Sequence, residues 1–147
     1  MRIYLDNCCY NRPYDDQTQM TISLETQAKL YIQDCVRKGE FELVTSFILL
    51  YEISRNPNTV HSQSILRYIQ QYSTLFVSDN DIVNIELIAA GIQSSGIKKM
   101  DAWHVACAIS AKTDYFLTTD KRLLKYNSEK IILLNPIEFI SIMEDKP

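Results

Sequence analysis

Short apolar runs alternate along this chain with longer stretches of helical period. Three runs read as buried strands: Ile3-Tyr4-Leu5, Tyr115-Phe116-Leu117 and Ile131-Ile132-Leu133-Leu134. Two weaker candidates are Glu42-Leu43-Val44 and Leu75-Phe76-Val77. Between them, Thr26 to Lys38 places Ala28, Leu30, Tyr31, Cys35 and Val36 at helical spacing. Ser46 to Arg55 begins with a capping-type serine and stops before Asn56-Pro57. Further helices are expected over Thr59 to Tyr72, Asn80 to Ser94 and Asp101 to Ala111, and Asn135-Pro136 opens a last one with proline in its first turn.

Strands that alternate with helices predict a mostly parallel sheet covered by helices on both faces, a three-layer α/β/α arrangement. No repeat, charge block or low-complexity segment divides the chain, so one domain over 1–147 is expected. The region around residues 56–72 is expected to be its most peripheral part. Leu66, Tyr68, Ile69 and Tyr72 there, with Ile22 and Leu24 before the second helix, suggest a self-complementary apolar patch and a homodimer.

Composition narrows the function classes. A hydrophobic fraction of 46% supports a real core, and no run of about 18 apolar residues exists to cross a membrane. Met1-Arg2-Ile3-Tyr4-Leu5-Asp6 meets an acid too soon for a signal peptide, so a cytoplasmic location is expected. Cys8 and Cys9 are neighbours, no Cys-x-x-Cys occurs, and His61 and His104 lie far apart. These features argue for reduced thiols and against a structural zinc site. The net charge of −3 argues against a module that binds nucleic acid by bulk electrostatics. It does not exclude a nuclease, whose carboxylates are offset by bound cations.

Chemistry enters at the strand ends. In open α/β sheets, sites form beyond the carboxyl ends of the strands. Asp6 directly follows the first strand, and Asp120 follows Tyr115-Phe116-Leu117 after two threonines. A parallel sheet puts both on one edge. Glu52 lies on the helix after the second strand, and Asp101 begins the helix that precedes the fourth. Taken singly, each has an ordinary reading as a turn cap, a helix cap or a surface acid. Taken together, clustered carboxylates repel one another and call for a compensating charge. Oxygen-only ligation selects Mg2+ or Mn2+, and phosphodiester hydrolysis is the chemistry that such a site serves.

These residues resemble the PIN-domain family. Ile3-Tyr4-Leu5-Asp6-Asn7-Cys8, followed by Arg12-Pro13-Tyr14-Asp15-Asp16, is similar to the family's opening. Ser46 to Glu52 and Ile53-Ser54-Arg55-Asn56-Pro57 resemble the helix with its glutamate. Gly96-Ile97-Lys98-Lys99-Met100-Asp101-Ala102-Trp103-His104-Val105-Ala106 is similar to its most specific motif, and Thr118-Thr119-Asp120 to its threonine-x-acid motif. The resemblance spans nearly the whole chain. It implies a five-stranded parallel sheet, a Mg2+ or Mn2+ site and RNA cleavage by Asp6, Glu52, Asp101 and Asp120, which would be both catalytic and metal-holding. It implies that Thr118, as a substrate-binding residue, contributes an oxygen to a metal-bound water or to the orientation of a ligand. Many small prokaryotic members are VapC-type toxins held by an antitoxin, so an antitoxin partner is also implied. Asn7 stands where many relatives carry a hydroxyl residue, and Cys8 to Gln17 suggests a subgroup apart from the commonest toxin form.

Arg12, Lys98, Lys99, Lys121 and Arg122 lie near the acids in sequence and are the candidate phosphate contacts. Trp103 reads as core and His104 as a hydrogen-bonded structural residue. A non-catalytic PIN-fold module for RNA or protein binding is the main alternative, and the presence of all four acids counts against it. A phospho-accepting receiver domain would want adjacent acids near the first strand's end and a lysine after the fifth, where Asn7-Cys8 and Asn135-Pro136 stand. A haloacid-type hydrolase would want a second aspartate where Cys8 stands.

Overall fold

The structure is a computed structural model that describes residues 1–146, so Pro147 of the expected 1–147 span lies outside it. Strands β1 (Arg2–Leu5), β2 (Glu42–Ser46), β3 (Ser73–Val77), β4 (Tyr115–Leu117) and β5 (Ile132–Leu134) form one sheet in the order β3-β2-β1-β4-β5. Every pairing is parallel. The helices are α1 (Asn7–Asn11), α2 (Met20–Arg37), α3 (Phe47–Ser54), α4 (Thr59–Tyr72), α5 (Ile82–Gln93), α6 (Lys99–Ser110) and α7 (Pro136–Glu144). No helix of the described residues is long and apolar enough to cross a membrane.

All five expected strands form. The reason is visible in the centre, where Ile3, Tyr4, Leu5, Leu43, Val44, Phe116 and Leu117 are all buried. Central strands of a parallel sheet are covered on both sides, so they read as unbroken apolar runs. Adjacent residues of β4 demonstrate the two covers. Phe116 stacks on Tyr4, its register partner in β1, and Tyr4 meets His104 of α6. Tyr115 packs edge-on against Phe139 of α7 on the other face. The caps also follow the sequence: Ser46 accepts the Leu49 amide at the start of α3, and Asn135 accepts the Ile137 amide at the start of α7. Gly96, at φ +94, supplies the left-handed residue that ends the turn after α5 and launches the chain toward α6.

Two expectations about packing need correction. Helix α2 starts at Met20, well before Thr26, and its buried face is differently phased. Ala28, Ile32, Cys35 and Val36 face inward together with Glu25 and Lys29, while Leu30 and Tyr31 are 50% and 55% exposed. Glu25 can occupy that face because Arg12 and Asn135 both donate to it. The apolar patch offered for self-association is also largely interior. Ile69 is buried, Leu66, Tyr68 and Tyr72 pack against the core, and the Tyr68 hydroxyl donates to the Gln33 carbonyl. Leu24 is the member that stays open, at 45% exposure. Ile22 is also only half-buried, so the part of the expected patch left for self-association is Ile22 and Leu24, and the homodimer stays an expectation.

Candidate active site

The chain runs outward from β1 to β2 and β3 and then returns to place β4 on the other side of β1. The order of the sheet reverses between β1 and β4, which is where open α/β sheets leave a crevice at their carboxyl edge. Asp6 and Thr118 are the first residues beyond these two strands. The backbones stay paired to the rim, where the Asp6 amide donates to the Leu117 carbonyl at 2.9 Å.

Asp6 is 5% exposed and is held from three sides. The Asn7 amide donates to its Oδ1 at 2.8 Å, the Thr118 hydroxyl donates to its Oδ2 at 2.8 Å, and the Cys8 thiol donates to the same Oδ2 at 3.4 Å. Asp6 thus also caps α1, so its ordinary reading and its site reading coexist. Thr118 is fully buried, and its Oγ1 accepts the Asp120 amide at 3.1 Å while donating to Asp6. One hydroxyl therefore ties the two strand-end acids together, which explains a threonine two residues before the acid. Asp120 Oδ1 accepts the amides of Arg122 and Leu123 at 2.8 and 3.3 Å, and this fixes the turn that follows.

Glu52 and Asp101 arrive from helices. Glu52 lies in the last turn of α3, with its side chain 30% exposed, and its Oε1 accepts from His104 Nε2 at 3.0 Å. Asp101 lies in the first turn of α6, where the helix N-terminus favours negative charge. Even so, its carboxyl is pushed up to about 6. Burial is the main cause, followed by the charges of Asp6 and Asp120 and, less strongly, Glu52, while His104 opposes them. All three other acids are thus close enough for their charge to be felt at Asp101.

The tightest group of ligand atoms differs from the expected four acids. Asp6, Glu52 and His104 each offer an atom within 4.8 Å of the others, and among the described residues no other such group of three occurs. Asp101 and Asp120 stand outside that spacing. His104 is fully buried, with its Nδ1 on the Tyr4 hydroxyl at 2.7 Å. Burial acts to lower the His104 pKa, but the Glu52 hydrogen bond and the charges of Asp6, Glu52 and Asp101 outweigh it and raise the value. The sequence does contain a signal for this histidine. It lies three residues after Asp101 on one helix, and that spacing puts the two on one face.

The basic candidates separate into two kinds. Arg12 donates to Asp15 and to buried Glu25, both at 2.9 Å, so its guanidinium braces the start of the chain against α2. Lys98, Lys99, Lys121 and Arg122 are exposed and make no ion pair among the described residues. Thr118, buried behind Asp6, orients the acids and is not open to a substrate.

The donor set fits a hard divalent cation. It is rich in carboxylate oxygen, and although burial is the main cause of the upward push on Asp101, the part that comes from Asp6 and Asp120 is repulsion that a cation would relieve. Of the four expected acids, Asp6 and Glu52 bring ligand oxygens within 4.8 Å of each other and of His104, so these two could share an ion.

No family model matches the sequence, and no curated protein matches it significantly. Solved structures do match. A chain of VapBC2 from Rickettsia felis, crystallised with a DNA fragment from their promoter, has a TM-score of 0.57 at 14% identity, covering 92% of this chain and 98% of that one. A chain of FitAcB from Neisseria gonorrhoeae has a TM-score of 0.57 at 17% identity, covering 91% and 97%. A chain of FitAB bound to an IR36 DNA fragment has a TM-score of 0.59 at 18% identity, covering 92% and 95%. At these identities the likeness is one of fold, and it extends over nearly the full length of both partners. The five-stranded parallel α/β architecture of this chain is the PIN-like fold that its sequence resembles.

Proposed function

We propose that this chain is a metal-dependent endoribonuclease that hydrolyses RNA phosphodiester bonds at Asp6, Glu52, Asp101 and Asp120. The observation that carries this reading is the state of Asp101. A helix N-terminus should stabilise its charge, yet burial and the neighbouring acids hold its pKa at about 6. Such crowding works against the fold, and perturbed acids gathered at the carboxyl edge of a parallel sheet are candidates for a site of chemistry.

Bound Mg2+ or Mn2+ supplies polarisation of the phosphate and activation of water. The chain's own residues supply orientation. The Asn7 amide, the Thr118 hydroxyl and the Cys8 thiol fix the Asp6 oxygens, and the amides of Arg122 and Leu123 fix Asp120. Lys98 and Lys99 precede Asp101 and Lys121 and Arg122 follow Asp120, so four open cations flank the acids. They provide the local positive charge that a phosphate backbone needs on a protein of net charge −3.

The test is cleavage of end-labelled single-stranded and stem-loop RNAs with Mg2+ or Mn2+. Cleavage is expected with either ion and not in EDTA. Undiminished cleavage in EDTA, or none of any RNA with either ion, would overturn the proposal, and the second outcome would favour the non-catalytic module. Neutralising Lys98, Lys99, Lys121 and Arg122 together is expected to weaken binding of all RNAs about equally. At about 0.7 in the log-log salt slope per phosphate contact on a single strand, the slope should flatten by about 3. An unchanged slope in a filter-binding titration would move the RNA path elsewhere on the surface.

The resemblance further implies an antitoxin as protein partner. The solved neighbours include VapBC2 and FitAB in complex with DNA, which supports looking for a partner protein expressed with this chain. Co-expression with the adjacent reading frames, followed by co-purification, tests it.

A further inference from the structure

We propose that His104 is a positioning residue for Glu52, held in turn by Tyr4 and Ser46, so that one buried network sets the spacing of the acid-bearing elements. This inference rests on the reading of the acids as an ion-holding site.

His104 has no solvent contact, and both of its ring nitrogens are engaged. Nε2 meets Glu52 Oε1 at 3.0 Å, and Nδ1 meets the Tyr4 hydroxyl at 2.7 Å. The Tyr4 hydroxyl also meets Ser46 Oγ at 2.7 Å, and Ser46 Oγ accepts the Leu49 amide at 3.1 Å. The path therefore closes on itself through α3, since Ser46 caps that helix and Glu52 lies in its last turn. Its members come from four elements. Tyr4 is two residues before Asp6 on β1, Ser46 ends β2 and caps α3, Glu52 lies in the last turn of α3, and His104 is three residues after Asp101 on α6. Three of these, β1, α3 and α6, deliver Asp6, Glu52 and Asp101.

The ring that anchors the network cannot turn freely. Tyr4 stacks on Phe116 with centroids 5.1 Å apart and planes 10° from parallel, and it meets His104 edge-on at 5.8 Å. Glu52 is the opposite kind of group, a long, partly exposed side chain with several rotatable bonds. Left to itself, it would sample positions away from Asp6. A donor fixed in the core restricts it to one, which is what outer partners of metal-holding side chains do. A rival role for the same imidazole is direct ligation through Nε2, since that atom lies within 4.8 Å of oxygens of Asp6 and Glu52. The two roles make different demands. Positioning needs an N–H at the Nε2 place, and glutamine can offer one. Ligation needs the imidazole lone pair.

The experiment uses the full chain and Mn2+ as the probe, with affinity read by electron paramagnetic resonance, folding by thermal melting and cleavage on one labelled RNA. His104→Leu and Tyr4→Phe are expected to weaken Mn2+ binding by about 10- to 100-fold, the range for loss of an outer partner. His104→Gln is expected to bind Mn2+ within about threefold of wild type, because it restores the donor. If His104→Leu does not fold, Tyr4→Phe carries the test, since it removes one oxygen and keeps the stacked ring. Nitrogen hyperfine coupling from a coordinated imidazole in wild type, or a His104→Gln variant as weak as His104→Leu, would overturn positioning in favour of ligation. Wild-type affinity in both His104→Leu and Tyr4→Phe would overturn it outright and leave the ion site standing. If wild type itself binds no Mn2+ and cuts no RNA, the ion site is wrong and the positioning role falls with it.

Discussion

Asp101→Asn is expected to slow RNA cleavage about a thousandfold, because the several kcal/mol that a held cation contributes to the transition state convert at about 1.4 kcal/mol per tenfold. The same substitution is expected to stabilise the metal-free protein. Asp101 is forced toward neutrality by burial and by Asp6, Asp120 and Glu52, with a pKa of about 6 against an ordinary 3.8. An acid whose folded pKa is raised contributes most below its unfolded pKa, and that contribution is lost as pH rises through the folded one. Between about pH 4 and pH 6 this group therefore works against the fold progressively, and at pH 7 the full cost is present. Asparagine carries no charge at any of these pH values. Solvent screens part of the repulsion at this half-buried site. A gain of about 1 kcal/mol, or a few degrees in thermal midpoint, is thus the scale expected at pH 7, shrinking toward pH 4. With Mn2+ at a hundred times its Kd the order should invert, since wild type then gains about 2.7 kcal/mol that the variant cannot. A fall in the metal-free midpoint would make Asp101 a structural cap of α6, and full activity would remove it from the site.

The parts of this arrangement that the sequence reveals are those fixed by short-range rules. Asp6 and Asp120 were legible because a strand end is a one-dimensional feature and parallel pairing forces both to one edge. Ser46 and Asn135 were legible because cap chemistry is local. What escaped depends on how elements face one another. Nothing in the run Ile3-Tyr4-Leu5 says that the Tyr4 hydroxyl reaches His104 and Ser46, residues 100 and 42 positions away. The same holds for Arg12, which is spent on Glu25 from another helix. In α2, apolar periodicity alone was a poor guide because polar residues share the buried face. Glu25 is satisfied there by donors outside the helix, and Leu30 and Tyr31 are left on the open side. The apolar residues of α4 misled because a residue count does not say how much surface one core can cover, and Tyr68 packs against that core with its hydroxyl donating to the Gln33 carbonyl.

Lys29→Met is expected to raise the stability of the fold by about 1–3 kcal/mol at pH 7. Lys29 is 5% exposed on α2 and has no carboxylate partner among the described residues. Its one favourable contact is with the Tyr10 ring, 5.9 Å from the ammonium to the ring centroid. Such a contact is worth about 1–2 kcal/mol when desolvated, and it does not offset burial of the charge. Burial accordingly pulls the ammonium from 10.5 to about 8, against a small opposing pull from Cys9. That displacement corresponds to roughly 3 kcal/mol. The sign follows from the charge type. A lysine with a depressed folded pKa costs stability in full below about pH 8, where both folded and unfolded chains carry the proton. The cost fades as pH rises toward 10.5 and is absent above it. Methionine keeps most of the stem and its packing without the ammonium. Urea unfolding should therefore give its largest difference between variant and wild type at pH 7 and a much smaller one near pH 10. A variant less stable than wild type at pH 7 would mean that the ammonium is held by a bond strong enough to outweigh its burial.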